Sequence, residues 1–233
     1  MGQNLTTIAF DADDTLWHNE RFFKLTQERF AELLRDFVPS PRLMDHLLAA
    51  EKRNLGHYGF GIKGFTLSMI ETAIDVTHGK VPASVISELI DAGREMLEHP
   101  IELLPHAREV VEDIAASHRV ILITKGDLLD QERKLAQSGL GDMFDGVEIV
   151  SDKTQSVYET IFSRHGDGAH RSLMAGNSLR SDVHPVLQAG GWGVHVPHDL
   201  TWDYEQDETP IDAPRFREVH DLGQLADLVR EIG

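Results

Sequence analysis

Residues 106–140 read HAREVVEDIAASHRVILITKGDLLDQERKLAQSGL, and this stretch decides the class of fold. A compact run of β-branched and apolar residues, 119–124, lies between two segments with helical patterns, 106–117 and 127–140. Asp127 is the predicted N-cap of the second helix, and Gly139 is the predicted signal for its end. A strand between two helices predicts parallel pairing in an open sheet that is covered by helices on both faces.

The same alternation of strands and helices occurs before and after this stretch. Further strands are predicted at 4–11, 147–150, 172–176 and 193–197, and further helices at 156–164, 182–191 and 220–232. Ser156 and Glu159 fit a capping box at the start of the first of these helices. The acidic segment 203–214 is predicted to be a surface loop. The sequence therefore predicts an α/β fold with a Rossmann-like parallel sheet core and helices on both faces.

Residues 19–100 have a different pattern, because helical segments follow one another there without a clear strand. The first, 21–37, repeats its apolar residues with a period near 3.6, and others follow around 41–54, 66–77 and 83–97. We predict an inserted all-helical cap domain at 19–100. The α/β core is then discontinuous and comprises 1–18 and 101–233.

Composition limits the classes of function. The chain has 233 residues, a formal net charge of −17 and no cysteine. A surface this acidic argues against nucleic-acid binding. The apolar runs have the length of core strands, which argues against a membrane span. The absence of cysteine excludes a thiol nucleophile and fits a cytoplasmic protein.

Polar residues follow the predicted strands at the point where each strand ends. They are Asp11, Asp13, Asp14 and Thr15; Thr124, Lys125 and Gly126; Ser151, Asp152 and Lys153; and Gly176, Asn177, Ser178 and Asp182. In a parallel sheet these segments converge on one rim, where ligands bind. Carboxylate and amide oxygens suit Mg²⁺, and lysine and threonine suit a phosphate. A divalent cation would relieve the crowding of the first three carboxylates.

Four segments, DADDT, ILITKGD, Lys153 and GNSLRSD, resemble in this order the signature segments of the haloacid dehalogenase-like (HAD) hydrolases. The resemblance covers the whole chain and includes the position of the helical cap. It implies that Asp11 is a nucleophile that forms an aspartyl-phosphate, and that Asp13 is the general acid and base. It also implies a mobile cap that selects a small substrate.

The same resemblance implies the binding residues. The implied phosphate-binding residues are Thr124, Lys125, Gly126 and Lys153, and the implied Mg²⁺ site consists of Asp11, Asp13 through its backbone carbonyl, Asn177 and Asp182. Lys125 competes with Lys153 for the contact with phosphate. Asp182 is also a candidate helix N-cap, and the two roles are compatible.

Three positions depart from the family's pattern. Asp14 replaces the usual glycine, and a short polar side chain tolerates the unusual backbone angles of such a turn. Asn177 replaces a frequent aspartate, so a metal there is held with one negative charge fewer. Thr154 replaces the proline that often follows the lysine of the third segment.

Two other motifs favour simpler interpretations. Residues 59–64, GFGIKG, match a dinucleotide-binding pattern, but no strand precedes them, so we interpret them as a loop of the cap. His195 and His198 could suggest zinc, but one is placed within a predicted strand and the other beyond it. Both are interpreted as core or surface histidines.

The leading hypothesis is a Mg²⁺-dependent phosphatase that acts on a small phosphomonoester. The alternatives are a 2-haloacid dehalogenase, a phosphomutase and a non-catalytic sensor of phosphorylated ligands. The resemblance implies that a dehalogenase needs no metal and usually lacks the second aspartate, so Asp13 argues against that alternative. Substrate identity, hydrolysis as opposed to phosphoryl transfer, and the choice between monomer and homodimer stay open.

Overall fold

The computed structural model describes residues 4–233, and these include a six-stranded parallel sheet in the order β3-β2-β1-β4-β5-β6. Its strands are β1 (Thr7–Phe10), β2 (Arg119–Lys125), β3 (Gly146–Val150), β4 (Ser172–Gly176), β5 (Trp192–His195) and β6 (Phe216–Glu218). The predicted α/β class with a parallel sheet is confirmed.

Five of the described helices lie between β1 and β2, and one helix follows each of β2, β3, β4 and β6. They are α1 (Glu20–Leu34), α2 (Ser40–Tyr58), α3 (Ile62–Val76), α4 (Ala83–Glu98), α5 (Ala107–Ala115), α6 (Leu128–Ser138), α7 (Gln155–His165), α8 (His184–Gln188) and α9 (Leu225–Ile232). None of the described helices is long and apolar enough to cross a membrane.

The central strand β1 is buried on both faces, as its sequence TIAF predicts. Ile8 and Phe10 belong to one apolar cluster, which also contains residues of α5 and α9. Ala9 belongs to a second cluster, which contains residues of α7 and α8. Since successive side chains of a strand point to opposite faces, β1 joins two apolar layers, each covered by helices.

The chain divides into two compact units. The first comprises the described part of Met1–Glu20 together with Ile101–Lys125 and Gln131–Gly233, and the second comprises Arg21–Pro100 and Gly126–Asp130. The second unit has its own apolar cluster, to which Phe30, Leu43, Met69 and Leu89 contribute. The predicted domain boundaries at 18/19 and 100/101 stay a prediction, and residues 1–3 of the predicted core lie outside the described residues.

Several local expectations differ from the structure. The N-cap of α7 is Thr154, whose hydroxyl accepts from Val157 N, so the predicted capping box at Ser156 is wrong. The N-cap therefore lies two residues before the predicted one, and the helix begins at Gln155, one residue before the predicted start. Strand β6 is only three residues long, too short for an alternating pattern, and sequence reasoning missed it.

Two other expectations have clear outcomes. Asp127 caps α6 as predicted, since its carboxylate accepts from Asp130 N at 3.2 Å. The stretch 59–64 is only partly a loop, because α3 begins at Ile62. Gly59 and Gly61, with φ of 70° and 115°, supply the turn before this helix.

Candidate active site

The carboxyl ends of β1, β2 and β4 meet at one rim of the sheet. Phe10 is in register with Leu122 on β2 and with Ala175 on β4. The next residue, Asp11, continues the ladder, because its N–H donates to the Ala175 carbonyl at 2.9 Å. The first and last predicted segments are therefore neighbours in space.

Lys153 joins the carboxylates of Asp11 and Asp182. Its Nζ lies 2.5 Å from Asp11 Oδ1 and 2.6 Å from Asp182 Oδ1. The three side chains are only 2%, 9% and 1% exposed, in the order Lys153, Asp11, Asp182. One ammonium between two carboxylates leaves a formal charge of −1 in a place that water hardly reaches, which is costly unless a proton or another cation compensates it.

Burial perturbs the titration of this cluster. Loss of hydration raises the pKa of Asp11 to about 7, even though the adjacent Lys153 charge lowers it. Repulsion from Asp182 and from Asp13 adds to the rise. Burial alone would lower the pKa of Lys153, but its two carboxylate partners hold that pKa above the usual value. The lysine therefore stays an ammonium beside the candidate nucleophile.

The loop that presents Asp182 is built around Gly176 and Ser178. A Cβ atom at position 176 would overlap the Asp182 carboxylate, so glycine is required there. The Ser178 N–H donates to Asp182 Oδ2 at 3.0 Å, and the Ser178 hydroxyl accepts from Ser181 N at 2.9 Å. Ser178 thus caps the π-helical turn Leu179–Val183, and the expectation that Asp182 is the N-cap is wrong.

Thr15 connects Asp11 to Asn177. Its hydroxyl lies 3.0 Å from Asp11 Oδ2 and 3.4 Å from Asn177 Oδ1, and it accepts from Asn177 N at 3.1 Å. His195 Nε2 lies 3.2 Å from the Asn177 carbonyl oxygen. The amide oxygen of Asn177 is therefore held next to the candidate nucleophile, and His195, at the end of β5, supports this loop.

The donor set fits a hard divalent cation. Asp11, Asn177 and Asp182 offer two carboxylates and an amide oxygen, and the cluster with Lys153 carries excess negative charge. Within residues 4–233, no group of three or more His, Cys, Asp or Glu side chains is arranged to hold a metal. The predicted set instead combines carboxylates with an amide and a backbone carbonyl.

The Asp13 carboxylate is held by residues that sequence reasoning missed. Trp17 Nε1 donates to Oδ1 at 2.7 Å, Lys134 Nζ lies 3.0 Å from both oxygens, and Gln131 Nε2 lies 3.2 Å from Oδ2. Gln131 and Lys134 are one turn apart on α6, directly after the second signature segment. The signal available in the sequence was their spacing, which places both polar side chains on one face of the helix.

The residues of the second signature segment have different partners. The Thr124 hydroxyl is buried and accepts from Gln131 Nε2 at 2.8 Å. Lys125 Nζ lies 2.6 Å from Glu205 Oε1 and 2.7 Å from the Ser181 hydroxyl. Gly126 has a φ of 140°, which favours glycine. Lys153, not Lys125, is the lysine that contacts Asp11.

Glu205 belongs to the segment that was expected to be a surface loop, and that expectation is wrong at this residue. Its side chain is 14% exposed, and Oε2 accepts from the hydroxyls of Ser178 and Ser181 at 2.6 and 2.5 Å. Burial acts to raise the pKa of Glu205, but the Lys125 charge and these hydrogen bonds hold it below the usual value. Glu205 is buried because residues remote in the chain bind its carboxylate, which the acidic sequence around it does not indicate.

Asp14 adopts the left-handed conformation that its position in the family implies, with a φ of 59°. Its carboxylate accepts from Asn19 N at 2.8 Å and from Glu20 N at 2.9 Å, where α1 begins. Burial raises its pKa to about 6. Asp14 therefore combines the backbone geometry of the usual glycine with a side-chain helix cap.

These features define an α/β protein with a site of carboxylates and a lysine at the carboxyl end of a parallel sheet. The chain belongs to the haloacid dehalogenase-like hydrolases, because the model of that family matches residues 5–190. No curated protein matches the chain.

Solved structures resemble the chain over nearly its whole length. A haloacid dehalogenase-like family hydrolase from Xanthomonas campestris is 43% identical, with a TM-score of 0.87, over 98% of this chain and 91% of that one. L-2-haloacid dehalogenase from Xanthobacter autotrophicus, with chloropropionic acid covalently bound, is 19% identical, with a TM-score of 0.68, over 98% and 100%. YfnB from Bacillus subtilis, a protein assigned to the HAD hydrolases and bound to magnesium, is 16% identical, with a TM-score of 0.66, over 97% and 99%.

Proposed function

We propose that the protein is a Mg²⁺-dependent phosphatase that hydrolyses a small phosphomonoester through an aspartyl-phosphate on Asp11. The observation that carries the proposal is the second carboxylate, Asp13, two residues after the candidate nucleophile. An alkoxide leaving group needs a proton donor, whereas a halide leaves as a stable anion and needs none. Gln131 Nε2 lies 3.2 Å from Asp13 Oδ2 and 2.8 Å from Thr124 Oγ1, which supports placing Asp13 beside the proposed phosphate site.

In the first step of the proposed reaction, an oxygen of Asp11 attacks phosphorus. A bond forms between this oxygen and phosphorus, and the bond from phosphorus to the ester oxygen breaks. Asp13 gives its proton to the departing oxygen, which leaves as an alcohol. Lys153 holds the Asp11 carboxylate in place and offers positive charge to the phosphoryl group, and Thr124 donates its hydroxyl hydrogen to a phosphoryl oxygen.

In the second step, water attacks the phosphorus of the aspartyl-phosphate. Asp13, now a carboxylate, accepts a proton from this water, and the bond between phosphorus and the Asp11 oxygen breaks. Inorganic phosphate leaves, and Asp11 is again a carboxylate. Splitting one displacement into two in this way is ordinary covalent catalysis.

Four groups would hold Mg²⁺: the side chains of Asp11, Asn177 and Asp182 and the backbone carbonyl of Asp13. When bound, Mg²⁺ screens the repulsion between an anionic nucleophile and an anionic substrate and stabilises charge in the transition state. The excess negative charge around Lys153 supports this assignment. The neutral Asn177 predicts weaker metal binding than an aspartate would give.

The proposal extends to substrate and surroundings. A small phosphorylated metabolite is the proposed substrate, and residues 19–100 are proposed to be the cap that selects it. The net charge of −17 supports a partner that is neither nucleic acid nor an anionic membrane. A cytoplasmic location is proposed because the chain contains no cysteine.

Release of phosphate from p-nitrophenyl phosphate tests the proposal. We expect turnover that needs added Mg²⁺, stops with EDTA and falls at least about 10³-fold in Asp11→Asn, because the amide is no nucleophile. Asp142→Asn makes the same chemical change at an exposed position and is expected to keep full activity. A screen of phosphorylated metabolites then identifies the substrate, and phosphorus NMR of the product separates hydrolysis from transfer to another oxygen.

Three results would contradict the phosphatase. Activity that survives Asp11→Asn excludes this nucleophile, and activity that is indifferent to EDTA excludes the metal. Chloride release from 2-chloropropionate without phosphate release would establish the dehalogenase, which the likeness to the Xanthobacter autotrophicus enzyme keeps as the second candidate.

A further inference from the structure

Two of the buried polar side chains of helix α6 lie next to the proposed acid and base, although the reaction described above does not use them. Gln131 is 3% exposed and Lys134 is 7% exposed, and both approach the Asp13 carboxylate. Lys134 Nζ also lies 2.8 Å from Asn19 Oδ1. Burying an ammonium and an amide costs free energy unless they are paired. Their common partner, the Asp13 carboxylate, therefore indicates what the two side chains are for.

The Asp13 carboxylate is held on both of its oxygens. Oδ1 accepts from Trp17 Nε1 and faces Lys134 Nζ, and Oδ2 faces Lys134 Nζ and Gln131 Nε2. Trp17 is itself fixed, since it is fully buried and its carbonyl accepts from Asp14 N at 2.7 Å. Donors on two sides leave the carboxylate little freedom to rotate.

The amide of Gln131 has one orientation that its neighbours allow. Its Nε2 faces three oxygens, Asp13 Oδ2, Thr124 Oγ1 and the Lys125 carbonyl, at 3.2, 2.8 and 2.8 Å. Turning the amide over would place its oxygen against a carboxylate and a carbonyl, neither of which has a hydrogen to give. In the described part of the chain, Gln131 Oε1 is buried without a donor.

The unpaired Oε1 lowers the stability of the fold, so the orientation of Gln131 is set by the contacts of its Nε2. By donating to Thr124 Oγ1, the amide leaves the hydroxyl hydrogen of Thr124 for another acceptor. The acceptor it has in this structure, the Lys125 carbonyl, is 3.4 Å away and weak. A phosphoryl oxygen is a better one.

We propose that Lys134 and Gln131 are positioning residues that fix the Asp13 carboxylate for proton transfer and, through Gln131, keep it in register with the Thr124 hydroxyl. This inference rests on the proposed function, because it assigns a purpose to the orientation of the proposed acid and base. It places two side chains of α6 in the machinery of the first step without contact with the substrate.

The test compares two leaving groups, since kcat/KM reports formation of the aspartyl-phosphate. Phenoxide is a much poorer leaving group than p-nitrophenoxide and depends more on a proton from Asp13. We measure kcat/KM for phenyl phosphate and p-nitrophenyl phosphate, with Mg²⁺, in the full-length protein. The variants are Lys134→Met, Lys134→Arg, Gln131→Leu and the control Gln137→Leu, which alters an exposed glutamine of the same helix.

Lys134→Met and Gln131→Leu are expected to lower kcat/KM for phenyl phosphate about 100-fold and for p-nitrophenyl phosphate about 10-fold or less. Lys134→Arg restores part of the loss for phenyl phosphate, and Gln137→Leu changes neither value. In an Asp13→Asn background, Lys134→Met is expected to add little, because the residue acts through Asp13.

The outcomes separate the two proposals. A wild-type protein that hydrolyses neither ester overturns the proposed function and this inference with it. A wild-type protein that hydrolyses both, with equal losses for both leaving groups or with fully additive losses in the Asp13→Asn background, overturns the positioning role alone. If Lys134→Met does not fold, as judged by its circular dichroism, Gln131→Leu decides by the same ratio.

Discussion

Two lysines near the Ser178–Asp182 loop have similar surroundings but different charge balances. Lys125 pairs with the carboxylate of Glu205, which also accepts from two serine hydroxyls. Lys153 pairs with two carboxylates, Asp11 and Asp182. The first cluster is neutral and the second is formally negative, although the second is the more deeply buried.

The difference separates a structural pair from a reactive one. The neutral pair of Lys125 and Glu205 is hydrogen-bonded to Ser178 and Ser181, and it anchors the loop that carries Asp182. In the cluster with excess formal negative charge, burial and the second carboxylate raise the pKa of the nucleophile, and a further cation would stabilise the ionised form. An imbalance of charge therefore marks the site more clearly than the presence of lysine does.

The largest effect is expected from Lys153→Met, which leaves two buried carboxylates without their ammonium. The free energy of unfolding should fall by about 3–5 kcal/mol. Urea unfolding at pH 7.5 in EDTA measures it, with Lys80→Met, at an exposed position, as the matched control. A loss below about 1 kcal/mol would mean that the cluster is not strained in the way its charges suggest.

Glu205→Ala tests the neutral cluster. It removes the carboxylate that accepts from the Lys125 ammonium and from two serine hydroxyls, and we expect a loss of about 2–3 kcal/mol in the free energy of unfolding. Urea unfolding measures this as well, and Glu208→Ala, an exposed residue of the same segment, is the control. Since Glu205 supports the loop of Asn177 and Asp182, the Mg²⁺ concentration for half-maximal activity should also rise. An unchanged requirement for Mg²⁺ would show that the loop holds its shape without Glu205.

Glu51 on α2 extends the comparison to a half-buried carboxylate of the helical unit. Burial raises the pKa of Glu51 from 4.5 to about 7, although Lys24 lowers it. The protonated acid is favoured by the fold, so its stabilisation is present below pH 4.5 and is lost as the pH rises through 7. As the pH rises from 5 to 9, ionisation of Glu51 should lower the free energy of unfolding by about 2 kcal/mol.

Glu51→Gln removes this dependence, because the amide does not ionise. Urea unfolding at several pH values should show a flatter profile for Glu51→Gln than for the wild type. Asp45→Asn, at an exposed position on the same helix, should leave the profile unchanged. If the free energy of unfolding varies with pH in the same way for the wild type and for Glu51→Gln, the pH dependence does not come from Glu51.

The smallest effect is expected at Asp14, where backbone and side chain act in opposite directions. Asp14→Gly relieves the left-handed conformation but removes the cap on α1, so the two terms nearly cancel and stability changes by less than about 0.5 kcal/mol. Asp14→Ala keeps the strain and loses the cap, and we expect a loss of about 1–2 kcal/mol. Thermal unfolding of the two variants compares them, and equal losses would exclude the backbone term.

Much of the fold followed from patterns that are local in the chain. The strand 172–176 was predicted at its observed bounds, and the strand 119–124 differs by one residue from β2. Strand β6 was missed because three residues are too few to show an alternating pattern. The cap at Thr154 was missed because it depends on backbone angles that the sequence pattern does not indicate. The predicted roles of Asp11, Thr124 and Lys153 stay predictions until activity is measured.

The sequence by itself determined which segments follow most strands of a parallel sheet, and therefore that the side chains of the four signature segments meet at its rim, since the ends of these strands can be read along the chain. Only the tertiary structure decided the partners of each charge. Lys125 pairs with a carboxylate 80 residues away, and Lys134 with one 121 residues away. A lysine has the same local pattern whether it neutralises a nucleophile, anchors a loop or orients an acid, because what distinguishes these roles is the charge and burial of groups remote in the chain.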